Sequence, residues 1–182
     1  MAQPERPSSS GTSGPQVRIG HGYDLHRLAP VGGAEGGRAL VVGGVHLEHD
    51  RGPVGHSDGD ALLHAITDAV LGALGLPDIG QLFPDTDPRW AGADSAVFVE
   101  EARRRAAEAG WRIANVDATV ILERPKIGAR KEEIRRNIAR LLKLGEDQVN
   151  VKGKTHEKVD AVGEGRAIEA HAVVLVVREG SL

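Results

Sequence analysis

The sequence predicts an α+β domain whose helices lie mainly on one side of a sheet. Three observations carry that expectation. Alternating and β-branched segments mark strands, apolar positions at helical spacing mark three helices, and Gly and Pro punctuate the joins. A chain of 182 residues suits one domain. Its 40% apolar content is enough for a core, filled chiefly by Val, Leu, Ile and Ala because only 3% of residues are aromatic.

Residues 1–16 contain three Pro, four Ser and two Gly, with no aliphatic side chain larger than Ala. So little apolar surface cannot offset ordering entropy, so a disordered tail is expected there and the domain over 17–182. Residues 17–29 alternate. Val17, Ile19, His21, Tyr23 and Leu25 share one face, while Arg18, Gly20, Gly22, Asp24 and His26 share the other. Asp24 and His26 therefore project side by side.

A glycine-rich connection, Gly32 to Gly37, leads to a second strand at Ala39 to Leu47, giving one hairpin-like pair. It lacks the lysine of a phosphate loop. The first helix is expected over Ser57 to Leu74, with Ser57 as N-cap and Asp60 completing an acidic variant of the capping box. Its apolar face is wide, and Asp60, His64, Thr67 and Asp68 form a narrow polar stripe. Pro and Asp make Leu82 to Pro88 a loop. A second helix follows at about Ser95 to Ala109, then a strand from Trp111 to Leu122 and a charged third helix from about Ala129 to Leu144, stopped by Gly145. Val149 to Glu157 alternates again, with Val149, Val151, Thr155 and Glu157 on one face. Ile168 to Val177 is apolar and β-branched enough for a buried strand.

Composition excludes several classes. The sequence has no Cys, so disulfides and thiolate metal sites are impossible and any zinc must sit on His and carboxylate. A formal net charge of −3 with few aromatics argues against a nucleic-acid partner. The longest apolar run, Ala172 to Val177, falls far short of the roughly 18 residues of a membrane span. No charged segment followed by an apolar stretch opens the sequence, so a cytoplasmic protein without a membrane partner is expected.

Three constellations can carry chemistry. Asp24-x-His26 on one strand face and His64 on a polar helical stripe offer three nitrogen and oxygen ligands, leaving a fourth position open for a catalytic ion. Spacing alone equally describes ordinary solvated faces. In His56-Ser57-Asp58-Gly59-Asp60, helix capping and dipole compensation account for the Ser and the acids, leaving His56 free to donate to developing negative charge. In Lys152-Gly153-Lys154-Thr155-His156-Glu157, Glu157 suits a Mg²⁺ shared with substrate phosphates and Thr155 suits a phosphate oxygen. A lysine-protected edge strand explains the same segment.

Four motifs, Ile19-Gly-His-Gly-Tyr-Asp-Leu-His26, Gly55-His-Ser-Asp-Gly-Asp60, Asp78-Ile-Gly80 and Leu82-Phe-Pro-Asp-Thr-Asp-Pro88, resemble the 2-C-methyl-D-erythritol 2,4-cyclodiphosphate synthase family from about Arg18 to Val177. The resemblance implies a phosphorus-oxygen lyase of non-mevalonate isoprenoid biosynthesis. Its substrate is 4-diphosphocytidyl-2-C-methyl-D-erythritol 2-phosphate and its products are the cyclic diphosphate and CMP. It implies a ferredoxin-like, Bacillus chorismate mutase-like sandwich with a mainly antiparallel sheet, assembled as a homotrimer with sites between subunits. Asp24, His26 and His64 would hold one Zn²⁺ per subunit, and Glu157 a Mg²⁺ or Mn²⁺ bridging the substrate diphosphate. His56 and Thr155 would stabilise the transferring phosphate.

The same resemblance extends to the substrate pocket. Ser57, Ile79, Gly80, Phe83 and Asp85 would form the methylerythritol pocket and Asp78 would bind the ribose, with Asp24, Leu25, His26 and His56 also touching substrate. Leu122, Pro125, Lys126, Ile127 and Gly128 would receive the cytidine end. Lys154, Thr155, His156 and Glu157, with Arg166, complete the implied substrate contacts. The family's common Thr-Thr-x-Glu is Lys154-Thr155-His156-Glu157 here, which implies a lysine contact. Gly163-Glu164-Gly165-Arg166 reverses the usual acidic and basic order, and His171 replaces a frequent acid. Isoprenoid diphosphate binding in the family's central channel is therefore not carried over. Two other readings are a noncatalytic trimeric binder of nucleotide or isoprenoid diphosphates and a zinc phosphohydrolase giving a linear product.

Overall fold

The computed structural model describes residues 16–180. The expected tail lies outside the described residues except for Gln16. The order of elements is β1 (Val17–Pro30), β2 (Leu40–Val42), β3 (Val45–Leu47), β4 (Arg51–Pro53), α1 (Ala61–Leu74), α2 (Ile79–Leu82), α3 (Ala96–Glu108), β5 (Trp111–Ile121), α4 (Lys131–Leu142), β6 (Val149–Lys154), α5 (Asp160–Gly163) and β7 (Ala167–Arg178). Five strands form one sheet in the order β4-β1-β7-β5-β6. Only the β5–β6 pair is parallel, so the sheet is mainly antiparallel. Among the described residues, no helix is long and apolar enough to cross a membrane.

The expected α+β class holds, and the alternation explains it. Along β7, Ile168, Ala170, Ala172, Val174 and Val176 are buried on the helix side. They join Leu62, Leu63, Ile66 and Val70 of α1 and Ile134 and Ile138 of α4 in one core. On β1 the burial is opposite to what side-chain size alone suggests. Gly20 and Gly22 are buried, whereas Ile19, Tyr23 and Leu25 are 69%, 46% and 47% exposed. The glycines let α1 close onto the strand: an added Cβ would come within 1.8 Å of the Ala69 carbonyl at Gly20 and 1.9 Å of the Ala65 carbonyl at Gly22.

Several boundaries move for identifiable reasons. The second expected strand is a separate hairpin, β2–β3, because Gly43 and Gly44 both take positive φ (60° and 74°), as a two-residue turn requires. Helix α1 begins at Ala61, not Ser57, because Asp60 is its N-cap. The third helix starts after a short 3₁₀ turn at Ile127–Arg130. β6 stops at Lys154, so Thr155 and Glu157 lie beyond the strand. Glu157, Lys158 and Asp160 take positive φ (50°, 65° and 61°), which no alternating pattern accommodates.

Candidate metal centre

The close β1–α1 contact builds the site. Asp24 and His26 follow Gly20 and Gly22 on the helix-facing side of β1, where α1 presents His64. His26 Nδ1 lies 2.9 Å from Asp24 Oδ2, and His64 Nδ1 lies 3.1 Å from the same oxygen. One ligand atom from each residue falls within 4.8 Å of the other two. Tetrahedral ligands about 2.0–2.1 Å from a central ion stand about 3.3 Å apart, so the three converge at the right scale.

His26 Nδ1 is buried and has no aligned hydrogen-bond partner despite its closeness to Asp24. An orphaned buried nitrogen pointed among two other donors fits a divalent ion better than a hydrogen-bonded network. Burial raises the Asp24 carboxyl, but the His26 and His64 rings outweigh it and hold Asp24 down to about 2. The carboxylate is thus ionised, as a ligand must be. Burial lowers the His64 ring, but Asp24 and neighbouring acids leave it above its ordinary value.

Asp60 anchors this arrangement. It is fully buried, and Oδ1 accepts the N–H of Gly43, Leu62 and Leu63 at 3.0, 3.1 and 3.0 Å, while Oδ2 accepts Gly44 N–H at 2.6 Å. One carboxylate thus starts α1 and ties it to the β2–β3 turn. Ser57, relieved of capping, places Oγ 3.3 Å from His64 Nε2.

A cavity of about 480 Å³ opens beside the three ligands and is also lined by His56, Ser57, Ile79, Gly80, Phe83 and Asp85. His56 Nε2 donates to the Asp87 carbonyl at 3.2 Å. Asp78 is the N-cap of α2, its carboxylate accepting Gln81 N–H, while Asp68 accepts Ile79 N–H at 2.8 Å and so ties α1 to this segment. Sequence reading missed Gly55, Trp90 and Phe98 in the lining. Phe83 and Phe98 pack as tilted rings with centroids 4.7 Å apart, and Trp90 meets Phe83 edge-on at 5.1 Å. Three of the chain's few aromatic residues thus gather at one cavity, a concentration that helical and strand periodicity could not reveal.

A second cavity of about 440 Å³ gathers Leu122, Lys126, Ile127, Gly128, Lys154, Thr155 and Glu157, together with the unanticipated Lys131 and Gly153. Thr155 Oγ1 donates to Glu157 Oε1 at 2.8 Å. Pro125 lines a neighbouring hollow with His49 and Lys126. His156 Nδ1 lies 2.9 Å from Asp160 Oδ2, and Arg166 pairs with Glu164. The Leu25 side chain sits on the exposed face of β1, opposite Asp24 and His26, because strand residues alternate. Any contact Leu25 makes in the ligand cavity comes from its backbone.

Residues 17–177 match the model of the YgbB family. The chain belongs to the YgbB family. A relative in Catharanthus roseus, named 2-C-methyl-D-erythritol 2,4-cyclodiphosphate synthase, chloroplastic, is 57% identical over 162 residues, which cover 89% of this chain and 66% of the relative. A bacterial relative, 2-C-methyl-D-erythritol 2,4-cyclodiphosphate synthase of Burkholderia mallei (strain SAVP1), is 52% identical over 164 residues, covering 90% of this chain and 98% of the relative. A solved structure of IspF from Plasmodium falciparum as a CDP complex matches with a TM-score of 0.77 at 39% identity, covering 93% of this YgbB-family chain and 100% of that one. The family resemblance read from four sequence motifs is borne out.

Proposed function

We propose that this chain is a 2-C-methyl-D-erythritol 2,4-cyclodiphosphate synthase, converting 4-diphosphocytidyl-2-C-methyl-D-erythritol 2-phosphate to the cyclic diphosphate and CMP. The observation that carries the reading is the convergence of Asp24, His26 and His64 at the mouth of a cavity, in a chain 52% identical to a named synthase over nearly that enzyme's whole length.

In this reaction a 2-phosphate oxygen bonds to the β phosphorus, the bond from that phosphorus to the bridging oxygen breaks, and CMP leaves carrying the oxygen. The nucleophile is already an oxyanion near neutral pH, so the chain needs no strong general base. Its task is to bend an anionic substrate until the ends meet in line. His56, released from the Asp87 carbonyl, would donate to the transferring phosphate, Thr155 would turn its hydroxyl from Glu157 to the same phosphate, and Phe83, Trp90 and Phe98 would keep water from the reacting end. Asp24, His26 and His64 would hold Zn²⁺, whose charge relieves phosphate repulsion and polarises a phosphate oxygen. Glu157, a carboxylate at an open cavity edge, would hold Mg²⁺ or Mn²⁺ together with substrate phosphates.

The proposed assembly is a homotrimer of ferredoxin-like, Bacillus chorismate mutase-like subunits. Two features support it. The ligand cavity and the cavity bearing Lys126, Thr155 and Glu157 are separate on one chain, so a substrate touching both is served by neighbouring copies. The exposed Ile19, Tyr23, Leu25 and Val173 also supply an apolar face for packing against such copies. The proposed setting is the cytoplasm.

The test is release of CMP from the cytidylylated substrate by purified protein supplied with zinc and Mg²⁺. Activity is expected in the unaltered chain and its loss, with loss of bound zinc, in Asp24→Ala and His64→Ala. Binding of CMP without turnover would favour the noncatalytic binder. Full turnover by both variants without zinc would overturn the assignment.

A further inference from the structure

Ser95 stands at the N-cap of α3, where a serine ordinarily accepts an N–H from the helix's first turn. Here it makes no such side-chain bond. Its hydroxyl, fully buried, instead lies between Asp58 Oδ1, in a very short contact, and His64 Nε2, at 2.8 Å. The backbone N–H of Ser95 donates to Asp58 Oδ2 at 3.0 Å, and Asp58 Oδ1 also accepts Asp60 N–H at 3.1 Å. Asp94 serves the first turn of α3 instead, its Oδ1 accepting the Ala96 N–H at 2.8 Å, and the serine hydroxyl is free for another task.

The donor inventory fixes the direction of this chain. An ionised carboxylate only accepts, so the single hydroxyl proton of Ser95 goes to Asp58. The Ser95 oxygen then accepts the proton carried by His64 Nε2. Nδ1 lies at hydrogen-bond distance, 3.1 Å, from Asp24 Oδ2; with the proton held on Nε2, its lone pair would be left for an ion bound where the three candidate ligands converge. Ser57 Oγ, which accepts Gly59 N–H at 3.2 Å, sits farther from Nε2 at 3.3 Å and is the weaker partner.

We propose that Ser95 and Asp58 form an outer relay, Asp58–Ser95–His64, that selects the His64 tautomer and ring orientation for metal binding through Nδ1. They are positioning residues and touch no substrate. The inference rests on the proposed zinc centre and adds to it two residues 37 positions apart in sequence that hold one of its ligands.

The experiment measures zinc affinity of the full chain by chelator competition, with no substrate present, for Ser95→Ala, Asp58→Asn, the double variant and Ser95→Thr. Outer partners of a metal-bound histidine are typically worth 10–100-fold in affinity, so a loss of that size is expected in each of the first two. A relay acts as a unit, so the double variant should lose no more than the worse single one. Ser95→Thr, which keeps the hydroxyl, should recover most of the loss. ¹⁵N NMR of the zinc-loaded protein should place a slowly exchanging proton on His64 Nε2 that exchanges faster in Ser95→Ala. If Ser95→Ala fails to fold, Asp58→Asn and the NMR of the unaltered chain still decide. Zinc affinity in the folded variants within about twofold of the parent, or His64 ligating through Nε2, would overturn the relay. Absence of zinc binding by the parent would instead remove the proposed metal centre itself.

Discussion

Replacing Asp60 with Ala separates two assignments of the α1 cap. The Asp60 carboxylate accepts four backbone N–H groups, two from the first turn of α1 and two from the Gly43–Gly44 turn; three of these bonds are buried and the one from Gly44 is part-buried. Loss of the cap alone costs about 1 kcal/mol, up to about 2 in a protein. The Gly43 donor loses its acceptor in a buried place, at about 1–3 kcal/mol, while water replaces much of the bond lost by the exposed Gly44. The total is about 4 kcal/mol, a large share of the stability of a domain this size. Asp60→Asn keeps one oxygen for three donors but turns an NH₂ toward Gly44 N–H, for a loss of about 2 kcal/mol. Ser57 caps nothing in α1, but Ser57→Ala leaves the buried Gly59 N–H without its acceptor, so it should cost about 1–2 kcal/mol, well below Asp60→Ala. Urea unfolding followed by circular dichroism measures all three. A Ser57→Ala loss as large as that of Asp60→Ala would refute the reasoning.

Three further outcomes follow from the same geometry. Gly22→Ala drives a Cβ to 1.9 Å from the Ala65 carbonyl, so β1 must shift from α1; a loss of at least about 3 kcal/mol is expected, with weaker zinc binding because Asp24 moves with the strand. A melting temperature within a few degrees of the parent would contradict it. The Arg104 guanidinium foremost, helped by Arg105 and opposed by slight burial, holds the Glu101 carboxyl down to about 2. Because the folded-state value is depressed, this contribution is complete above the unfolded value of 4.5 and fades as pH falls toward about 2. Glu101→Gln should therefore cost about 0.5 kcal/mol at neutral pH, in keeping with a surface pair, and nothing near pH 2. Acid-range melting curves check that convergence. Asp68→Ala should loosen the Ile79 tie and raise KM more than it lowers kcat, while zinc content stays constant.

How much was legible depended on whether a signal was local. The Asp24-x-His26 pair could be read because strand alternation needs only neighbouring residues, and His64 because the polar stripe of α1 is periodic. Their meeting rests on Gly20 and Gly22, whose role shows only when a helix lies across them. Ser57 and Asp60 both have the chemistry of an N-cap, so the local sequence does not choose between them; the turn at Gly43 and Gly44, far away in sequence, adds the two donors that hold Asp60 in place. Trp90, Phe98 and Ser95 reach the site through a connection that places them beside α1, which periodicity cannot see. The exposed Ile19, Tyr23 and Leu25 were legible as one face, but not as the face turned away from the helices.

The central claim, that this chain cyclises its substrate instead of hydrolysing it, is tested most directly by ³¹P NMR of the products formed from 4-diphosphocytidyl-2-C-methyl-D-erythritol 2-phosphate. CMP and a cyclic diphosphate are expected in equal amounts, with neither formed by His64→Ala. A linear phosphate product, or unchanged product formation by His64→Ala, would contradict it.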